Sequence, residues 1–142
     1  MLTRTGGYAL HAALAIAEMG ADGRPVRAHE VAEALSLPGN YLAKILQALA
    51  RSGVLESERG RNGGFRLARD PAQVKLIDVV EGFDDLGRDR QCLLGRGLCQ
   101  EVGGCPAHQE WRQASAPAFT FFESRTLADL MAKPKDPSSR SR

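Results

Sequence analysis

Apolar side chains recur at intervals of three and four residues through the first third of the chain, which is the spacing of helices that bury one side. The first such stretch covers residues 8–19 and ends at Gly20. The second covers residues 28–34, and the helix-breaking sequence Leu37-Pro38-Gly39 follows it closely. Two helices and a sharp turn are therefore predicted in this part of the chain.

A third helix is predicted from Asn40 to Ser52. Asn40 is a favourable N-cap residue, and Gly53 is the residue type that often follows a helix C-terminus. Apolar residues again follow the helical spacing between these limits. Two helices joined by a tight turn, the second with polar groups at its start, predict a helix-turn-helix, which places its second helix in the major groove of DNA.

The next segment predicts a β-hairpin. Residues 54–59 and 65–69 alternate in polarity on either side of Gly60-Arg61-Asn62-Gly63-Gly64. An Asn-Gly pair between alternating segments is the strongest short-range hairpin signal. A helix-turn-helix followed at once by a basic-tipped hairpin is a winged helix, so we predict a mainly α fold with a small β-hairpin wing.

The C-terminal third predicts further helices around a loop. Residues 74–83 have a helical pattern, and a glycine-rich, cysteine-bearing segment follows. From about Pro106 a long helix is predicted, and residues 126–131 would form a short closing helix. Because an aromatic-faced helix outside so small a domain is more easily buried against a second copy of the chain, we expect a dimerisation helix. Its apolar stripe consists of Trp111, Ser115, Ala118, Phe119 and Phe122.

These patterns divide the chain into four predicted parts. They are a winged helix-turn-helix domain over 1–83, a cysteine-bearing loop over 84–105, dimerisation and closing helices over 106–132, and a disordered tail over 133–142.

Local charge is more informative than the net charge of +2 over 142 residues. The last ten residues contribute +3, which leaves about −1 for the rest of the chain. Residues 39–69, in contrast, carry six basic and two acidic side chains, a clustered excess that suits contact with phosphates. The basic residues are Lys44, Arg51, Arg59, Arg61, Arg66 and Arg69.

Several classes of protein are not expected. No apolar run approaches the ~18 residues that cross a bilayer, and His11 interrupts the one stretch that resembles an export signal. An odd number of cysteines without such a signal favours a reducing cytoplasm over a disulfide framework. The sequence has no recognisable nucleophile and base set, phosphate loop or paired carboxylates, so we expect no enzyme.

The three cysteines are Cys92, Cys99 and Cys105, and His108 follows the last of them. Soft ligands concentrated in a glycine-rich loop indicate a pocket for iron or another thiophilic ion. Two alternatives stay open. The thiols could be redox-active without metal, or they could bind zinc, although zinc sites usually contain a Cys-x-x-Cys pair that is missing here.

Five phrases of the sequence, in this order, resemble the Rrf2 family of winged-helix regulators, whose branches include the IscR-like and NsrR-like repressors. The resemblance extends over nearly the whole chain. The phrases are Leu2-Thr3 with Tyr8-Ala9-Leu10, Tyr41-Leu42-Ala43-Lys44, Arg59-Gly60-Arg61-Asn62-Gly63-Gly64, Ile77-Asp78-Val79-Val80 and Thr126-Leu127-Ala128-Asp129-Leu130.

The resemblance implies a homodimer that binds double-stranded DNA and holds an iron–sulfur cluster. Cys92, Cys99 and Cys105 match the family's three thiolate ligands, and His108 matches the histidine ligand of the IscR-like branch. The implied cluster is 2Fe-2S, with 4Fe-4S as the second option, and it is absent from the apo form. The signal would be redox state, nitric oxide or iron status, whereas a metal-free, thiol-switched repressor of the same family is the alternative function.

The match is not complete. Six residues separate Cys92 from Cys99, whereas the IscR-like pattern has five. NsrR-like members take an acidic ligand from the first helix, where this chain has Gly6-Gly7. His11 on the same helix is a weaker candidate than His108 for the fourth ligand.

The predicted DNA contacts fall in two groups. Amide side chains on the third helix can pair with an adenine edge in the major groove, while arginines at the hairpin tip suit a narrow minor groove. We assign Arg51, Arg66 and Arg69 to solvated surface. The predicted contact residues are Asn40, Tyr41, Lys44 and Gln47 on the helix and Arg59, Gly60, Arg61 and Asn62 on the wing.

Overall fold

A computed structural model describes residues 2–83 and 106–131 of the protein. The predicted cysteine loop and tail lie outside these ranges. The described elements are α1 (Arg4–Met19), α2 (Ala28–Leu35), α3 (Gly39–Arg51), β1 (Leu55–Glu58), β2 (Gly64–Leu67), a short 3-10 helix (Pro71–Gln73), α4 (Leu76–Val80), α5 (His108–Ser124) and α6 (Leu127–Leu130).

The predicted fold class is confirmed: a helix-turn-helix is followed by an antiparallel hairpin, and a long helix lies near the C-terminus. One hydrophobic core joins these elements, and α1 is central to it because it packs against α2, α3, β2, α4 and α6. Small side chains on its buried face, Ala9, Ala12 and Ala13, let the neighbouring helices approach closely. The largest fully buried side chains include Ile16, Val31, Leu42, Leu46, Leu49, Val54, Leu76 and Leu127.

The first helix begins earlier than predicted. Thr3 is its N-cap, and the Thr3 hydroxyl accepts a hydrogen bond from the Gly6 N–H at 3.1 Å. Such a cap satisfies one of the free amides of the first turn, so the helix extends over polar and glycine residues that show no apolar period.

The prediction of Asn40 as N-cap of the third helix is wrong. Pro38 occupies that position, with its carbonyl accepting from the Leu42 N–H at 3.1 Å, and Asn40 lies in the first turn. The cause lies upstream: Ser36 adopts a left-handed conformation (φ 52°) that ends α2, so the turn is complete at Pro38. Asn40 is thereby exposed.

The helix predicted over 74–83 is limited to α4, at 76–80. Val74 and Lys75 are extended because they pair with the strand-like segment that precedes α6. The Leu76 N–H donates to the Arg125 carbonyl and the Leu127 N–H donates to the Val74 carbonyl, both at 2.9 Å. This long-range pairing ties the C-terminal helices to the winged helix.

The wing pairs Leu55 with Leu67 and Glu58 with Gly64 at its two ends. It also has a third partner, since Val26 and Phe65 exchange backbone hydrogen bonds of 2.8 and 2.7 Å. The hairpin is therefore fastened to the residues that immediately precede α2. None of the helices in the described ranges is long and apolar enough to cross a membrane.

The core position of α3 generates a stability prediction. Leu46 is fully buried and Gln47, its neighbour, is exposed. Leu46→Ala should lower the free energy of unfolding by about 2–5 kcal/mol because it leaves a cavity. Gln47→Ala should change it by less than about 0.5 kcal/mol. Urea unfolding at one protein concentration measures both, and equal effects would contradict the burial of this face.

Candidate nucleic-acid interface

The outer face of α3 carries a line of polar side chains. Asn40, Lys44 and Gln47 are exposed and lie at helical intervals of four and three residues, so they share one face. The opposite face is buried in the core through Leu42, Ile45, Leu46 and Leu49. The structure thus brings together three of the four residues predicted on this helix.

Tyr41 is arranged differently. Its side chain is half-buried, its ring meets the Tyr8 ring edge to face at 5.9 Å, and its hydroxyl is hydrogen-bonded to the Thr5 hydroxyl at 2.8 Å. These contacts fasten the start of α3 to the start of α1. The Tyr41 hydroxyl already has a protein partner, which gives this residue a structural role that the sequence did not indicate.

The wing tip presents all four predicted residues, Arg59, Gly60, Arg61 and Asn62, as exposed. Gly60 has a φ of +110°, which favours glycine, and its carbonyl accepts from the Gly63 N–H at 3.0 Å. Gly63 is buried, and a Cβ atom there would collide with the Glu58 carbonyl oxygen. The tip is therefore compact, and its two arginine side chains face solvent.

Ion pairs divide the basic residues into two kinds. Arg66 pairs with Glu58 on the neighbouring strand, and Arg69 pairs with Asp78 at 3.7 Å. Carboxylates therefore offset these two charges. Within the described ranges no ion pair involves Lys44, Arg51, Arg59 or Arg61, so the positive charge of this region that carboxylates do not offset lies on α3 and at the wing tip.

The sequence analysis missed the segment before and at the start of α2. With Asn62 and Gly63 of the wing, it forms a polar groove of about 440 Å³. Its members on the helix-turn-helix side are Arg24, Pro25, Arg27, His29 and Glu30.

Hydrogen bonds order this segment. The Glu30 carboxylate accepts from the Arg27 N–H at 2.8 Å and pairs with the Arg24 guanidinium at 3.4 Å. The bond from the Arg27 N–H lowers the pKa of the Glu30 carboxyl, and Arg24 adds to that effect. The Arg27 guanidinium donates to the Arg61 carbonyl at the wing tip. A glutamate three residues after the N-cap is the sequence signal that would have identified this helix start.

The predicted cluster ligands cannot be placed. Cys92, Cys99 and Cys105 lie outside the described residues, and His108 is the first residue of α5, with only its backbone described. His11 is exposed on α1. In the described ranges, no group of three or more potential metal-ligating side chains comes together.

The long helix α5 has two apolar sides. Phe122 packs against the core, and α5 also contacts α4. The predicted stripe is partly buried at Trp111, Ser115, Phe119 and Phe122, but its Ala118 is exposed. A second row faces outward at helical spacing and consists of Ala114, Pro117, Ala118 and Phe121, of which Phe121 is 45% exposed.

A helix-turn-helix whose second helix exposes a polar line beside a basic, compact wing defines a winged-helix DNA-binding protein. The sequence model of the Rrf2 family, described as iron-dependent transcriptional regulators, matches residues 2–133, and the chain belongs to this family. It is therefore a transcriptional regulator and not an enzyme.

Relatives and solved structures agree with this assignment. The chain is 30% identical over 130 residues to the HTH-type transcriptional regulator IscR of Cronobacter sakazakii, covering 92% of this chain and 79% of that protein. It is 36% identical over 111 residues to protein aau3 of Rhizobium meliloti, with coverage of 77% and 72%.

Two solved structures share the fold. IscR of T. potens has a TM-score of 0.73 at 22% identity and coverage of 94% and 93%. CymR, the global cysteine regulator of B. subtilis, has a TM-score of 0.73 at 22% identity and coverage of 92% and 95%.

The bond between Thr5 and Tyr41 can be tested with a double-mutant cycle. Thr5→Val and Tyr41→Phe should each lower the free energy of unfolding by about 0.5–1.5 kcal/mol, the usual net value of one hydrogen bond. Because both remove the same bond, the double variant should be little worse than either one. Fully additive effects in urea unfolding would show that the two hydroxyls act independently.

Proposed function

We propose that the protein is a homodimeric regulator that binds double-stranded DNA through α3 and the wing, and that an iron–sulfur cluster held by Cys92, Cys99, Cys105 and His108 alters its affinity. The regulator senses redox state, nitric oxide or iron status. The observation that supports DNA binding is that the polar line on α3 and the basic wing tip belong to one domain.

Each predicted contact has a distinct chemical role. Asn40 and Gln47 offer amides that can donate to and accept from an adenine edge, and Lys44 offers a cation to the major groove. Arg59 and Arg61 insert into a narrow minor groove, where the negative potential is strongest. The backbone at Gly60 and Asn62 lets the tip approach closely. Tyr41 contributes by holding the start of α3 against α1.

The donor set suits the proposed cluster. Three thiolates and one imidazole make four ligands, which is the number such a cluster takes from the protein. When bound, the group supplies an oxidant-sensitive redox centre. The chain's own ligands add their chemistry: imidazole protonates near neutral pH, and thiolates react with oxidants. The match of the iron-dependent family to residues 2–133 supports this assignment.

The elements on either side of residues 84–105 would transmit a change in the proposed cluster to the DNA-binding surface. The described chain stops at Phe83, which packs against the core just after α4, and resumes at Pro106, just before α5. The helices α4 and α5 contact each other, α4 packs against α1, and α1 packs against α3. A change in the loop would thus act on α5 and, through α1, on the recognition helix. In a dimer, the two recognition helices must reach half-sites that lie one DNA turn apart. A small change in the distance between these helices therefore alters DNA binding.

The second apolar row of α5 is the proposed dimer surface. Its members recur at intervals of three and four residues, and Leu130 on α6 is also 37% exposed. A continuous helical face of this kind suits a two-fold interface in which the same surface is used by both subunits.

A metal-free thiol switch is the second candidate. It is supported by the likeness in fold to CymR of Staphylococcus aureus, which has been solved in an oxidised form (TM-score 0.72, 19% identity). In that case the three cysteines would act by oxidation alone. Iron and sulfide analysis of protein purified without oxygen separates the two candidates.

Loss of one ligand tests the cluster. Anaerobically purified wild-type protein should contain iron and sulfide, absorb visible light, and change its DNA affinity on exposure to air or nitric oxide. Cys99→Ala should lack the absorption and the response because one thiolate is missing, whereas the adjacent Gln100→Ala should retain both.

Two results would contradict the proposal. DNA affinity that still follows iron content in Cys99→Ala would exclude this loop as the sensor. Iron-free wild-type protein whose affinity changes with thiol oxidants would favour the metal-free switch. His108→Ala compared with His11→Ala identifies the fourth ligand, and loss of the cluster is expected for His108.

The dimer surface can be tested by one charge. Phe121→Glu should shift the protein from dimer to monomer, because it buries two carboxylates in an apolar interface. Glu123→Gln, an exposed change on the same helix, should leave the dimer intact. Sedimentation velocity across a concentration series measures both, and an unchanged dimer in Phe121→Glu would place the interface elsewhere.

A further inference from the structure

Arg27 lies where the first helix of the helix-turn-helix meets the wing. It occupies the N-cap position of α2, where a side-chain acceptor is usual, but a guanidinium group has only donors. The cap is supplied in part by Glu30, which accepts from the Arg27 N–H at 2.8 Å. The Arg27 side chain is thereby left to extend away from the helix, and it donates to the Arg61 carbonyl.

The neighbouring contacts show that this bond acts on a part of the wing that backbone pairing does not reach. Val26 is bonded to Phe65 on β2, and a Cβ atom on Gly64 would lie 2.5 Å from the Val26 carbonyl oxygen. The base of the wing is thus fixed by close backbone packing. Arg61 lies beyond the last residue pair of the hairpin, Glu58 with Gly64, in the exposed tip.

We infer that Arg27 is a positioning residue for DNA binding: it holds the wing tip in a fixed place relative to α2 and α3 by bonding the Arg61 backbone. This inference rests on the proposed contact between the wing and DNA. The bond uses the Arg61 carbonyl, so the Arg61 side chain stays available for the minor groove. The guanidinium holds its donors in a rigid planar fork, so less side-chain freedom is lost in forming this bond than with the flexible ammonium group of a lysine.

A direct role is the competing explanation. Arg27 is exposed and lines the polar groove with Arg24 and His29, so it could instead contact a DNA phosphate. The two roles predict different couplings. A positioning residue matters only while the wing arginines are present, whereas a phosphate ligand contributes independently of them and adds to the salt dependence.

The experiment uses the full chain and a fluorescent duplex from its own promoter region. Anisotropy titrations over a series of salt concentrations compare wild type, Arg27→Ala, Arg27→Lys, the double variant Arg59→Ala/Arg61→Ala and the triple variant. Arg69→Ala, at another exposed arginine of the domain whose charge Asp78 offsets, is the matched control. Urea unfolding of each variant shows that the fold is intact.

We expect Arg27→Ala to weaken binding about three- to tenfold, the effect of one hydrogen bond, with an unchanged salt slope. Arg27→Lys should restore little of the loss, and Arg27→Ala should have no further effect in the wing double variant. Arg69→Ala should bind like wild type.

Different failures identify different errors. Arg27 is a phosphate ligand if Arg27→Ala weakens binding equally in wild type and in the wing double variant. In that case the salt slope should also fall by about one, and lysine should restore binding. If Arg27→Ala binds DNA with wild-type affinity, Arg27 has no role in DNA binding. The proposed wing contact still stands in that case, provided that the wing double variant binds weakly. Wild-type affinity in the double variant would overturn the proposed wing contact itself.

Discussion

Two backbone hydrogen bonds between Val26 and Phe65 hold the proposed DNA-binding surface together. At 2.8 and 2.7 Å they join the residues before α2 to the second strand of the wing. Val26 is buried, as are Val54 just before β1 and Leu55 at its start, so these bonds lie beside the core. The position of the wing beside α3 is therefore set by backbone pairing and core packing. The exposed Arg27 side chain adds a bond to the tip, and Glu30 orders the Arg27 backbone.

The alanine-rich helix α1 connects the two ends of the molecule. It contacts α3, α4 and α6, and Thr5 and Tyr8 near its start hold Tyr41 of α3. Because close-packed interiors transmit displacement rather than absorb it, a shift of α4 reaches α3 through α1, which contacts both helices. This arrangement gives the proposed sensor loop, which connects α4 to α5, a short path to the DNA-binding face.

Local sequence patterns were sufficient to predict much of the fold and the exposed residues of α3 and the wing tip. Apolar periodicity identified α1, α2, α3 and α5, and the Asn-Gly pair identified the hairpin. The misplaced starts of α1 and α3 had local causes, the Thr3 cap and the Ser36 turn, whereas the other omissions arose from long-range contacts. The strand-like Val26, the pairing of Val74 with Leu127 and the Thr5 hydroxyl bond to Tyr41 each join segments far apart in sequence. One bridging residue such as Val26, or an arginine at an N-cap such as Arg27, produces no periodic pattern in the sequence from which it could be predicted. The cysteines lie outside the described residues, so the predicted cluster ligands stay predictions.

For α3 and the wing tip to contact DNA together, the wing and the helix-turn-helix must form one rigid unit. Native-state amide hydrogen exchange tests this directly, because each amide reports the free energy of the opening that exposes it. The Val26 and Phe65 amides are predicted to exchange as slowly as that of Leu46 in the buried face of α3, since all three would open only on global unfolding. If the Val26 and Phe65 amides instead exchange as fast as those of the exposed wing tip while Leu46 stays protected, the wing moves separately from the helix-turn-helix. That result would contradict a rigid unit.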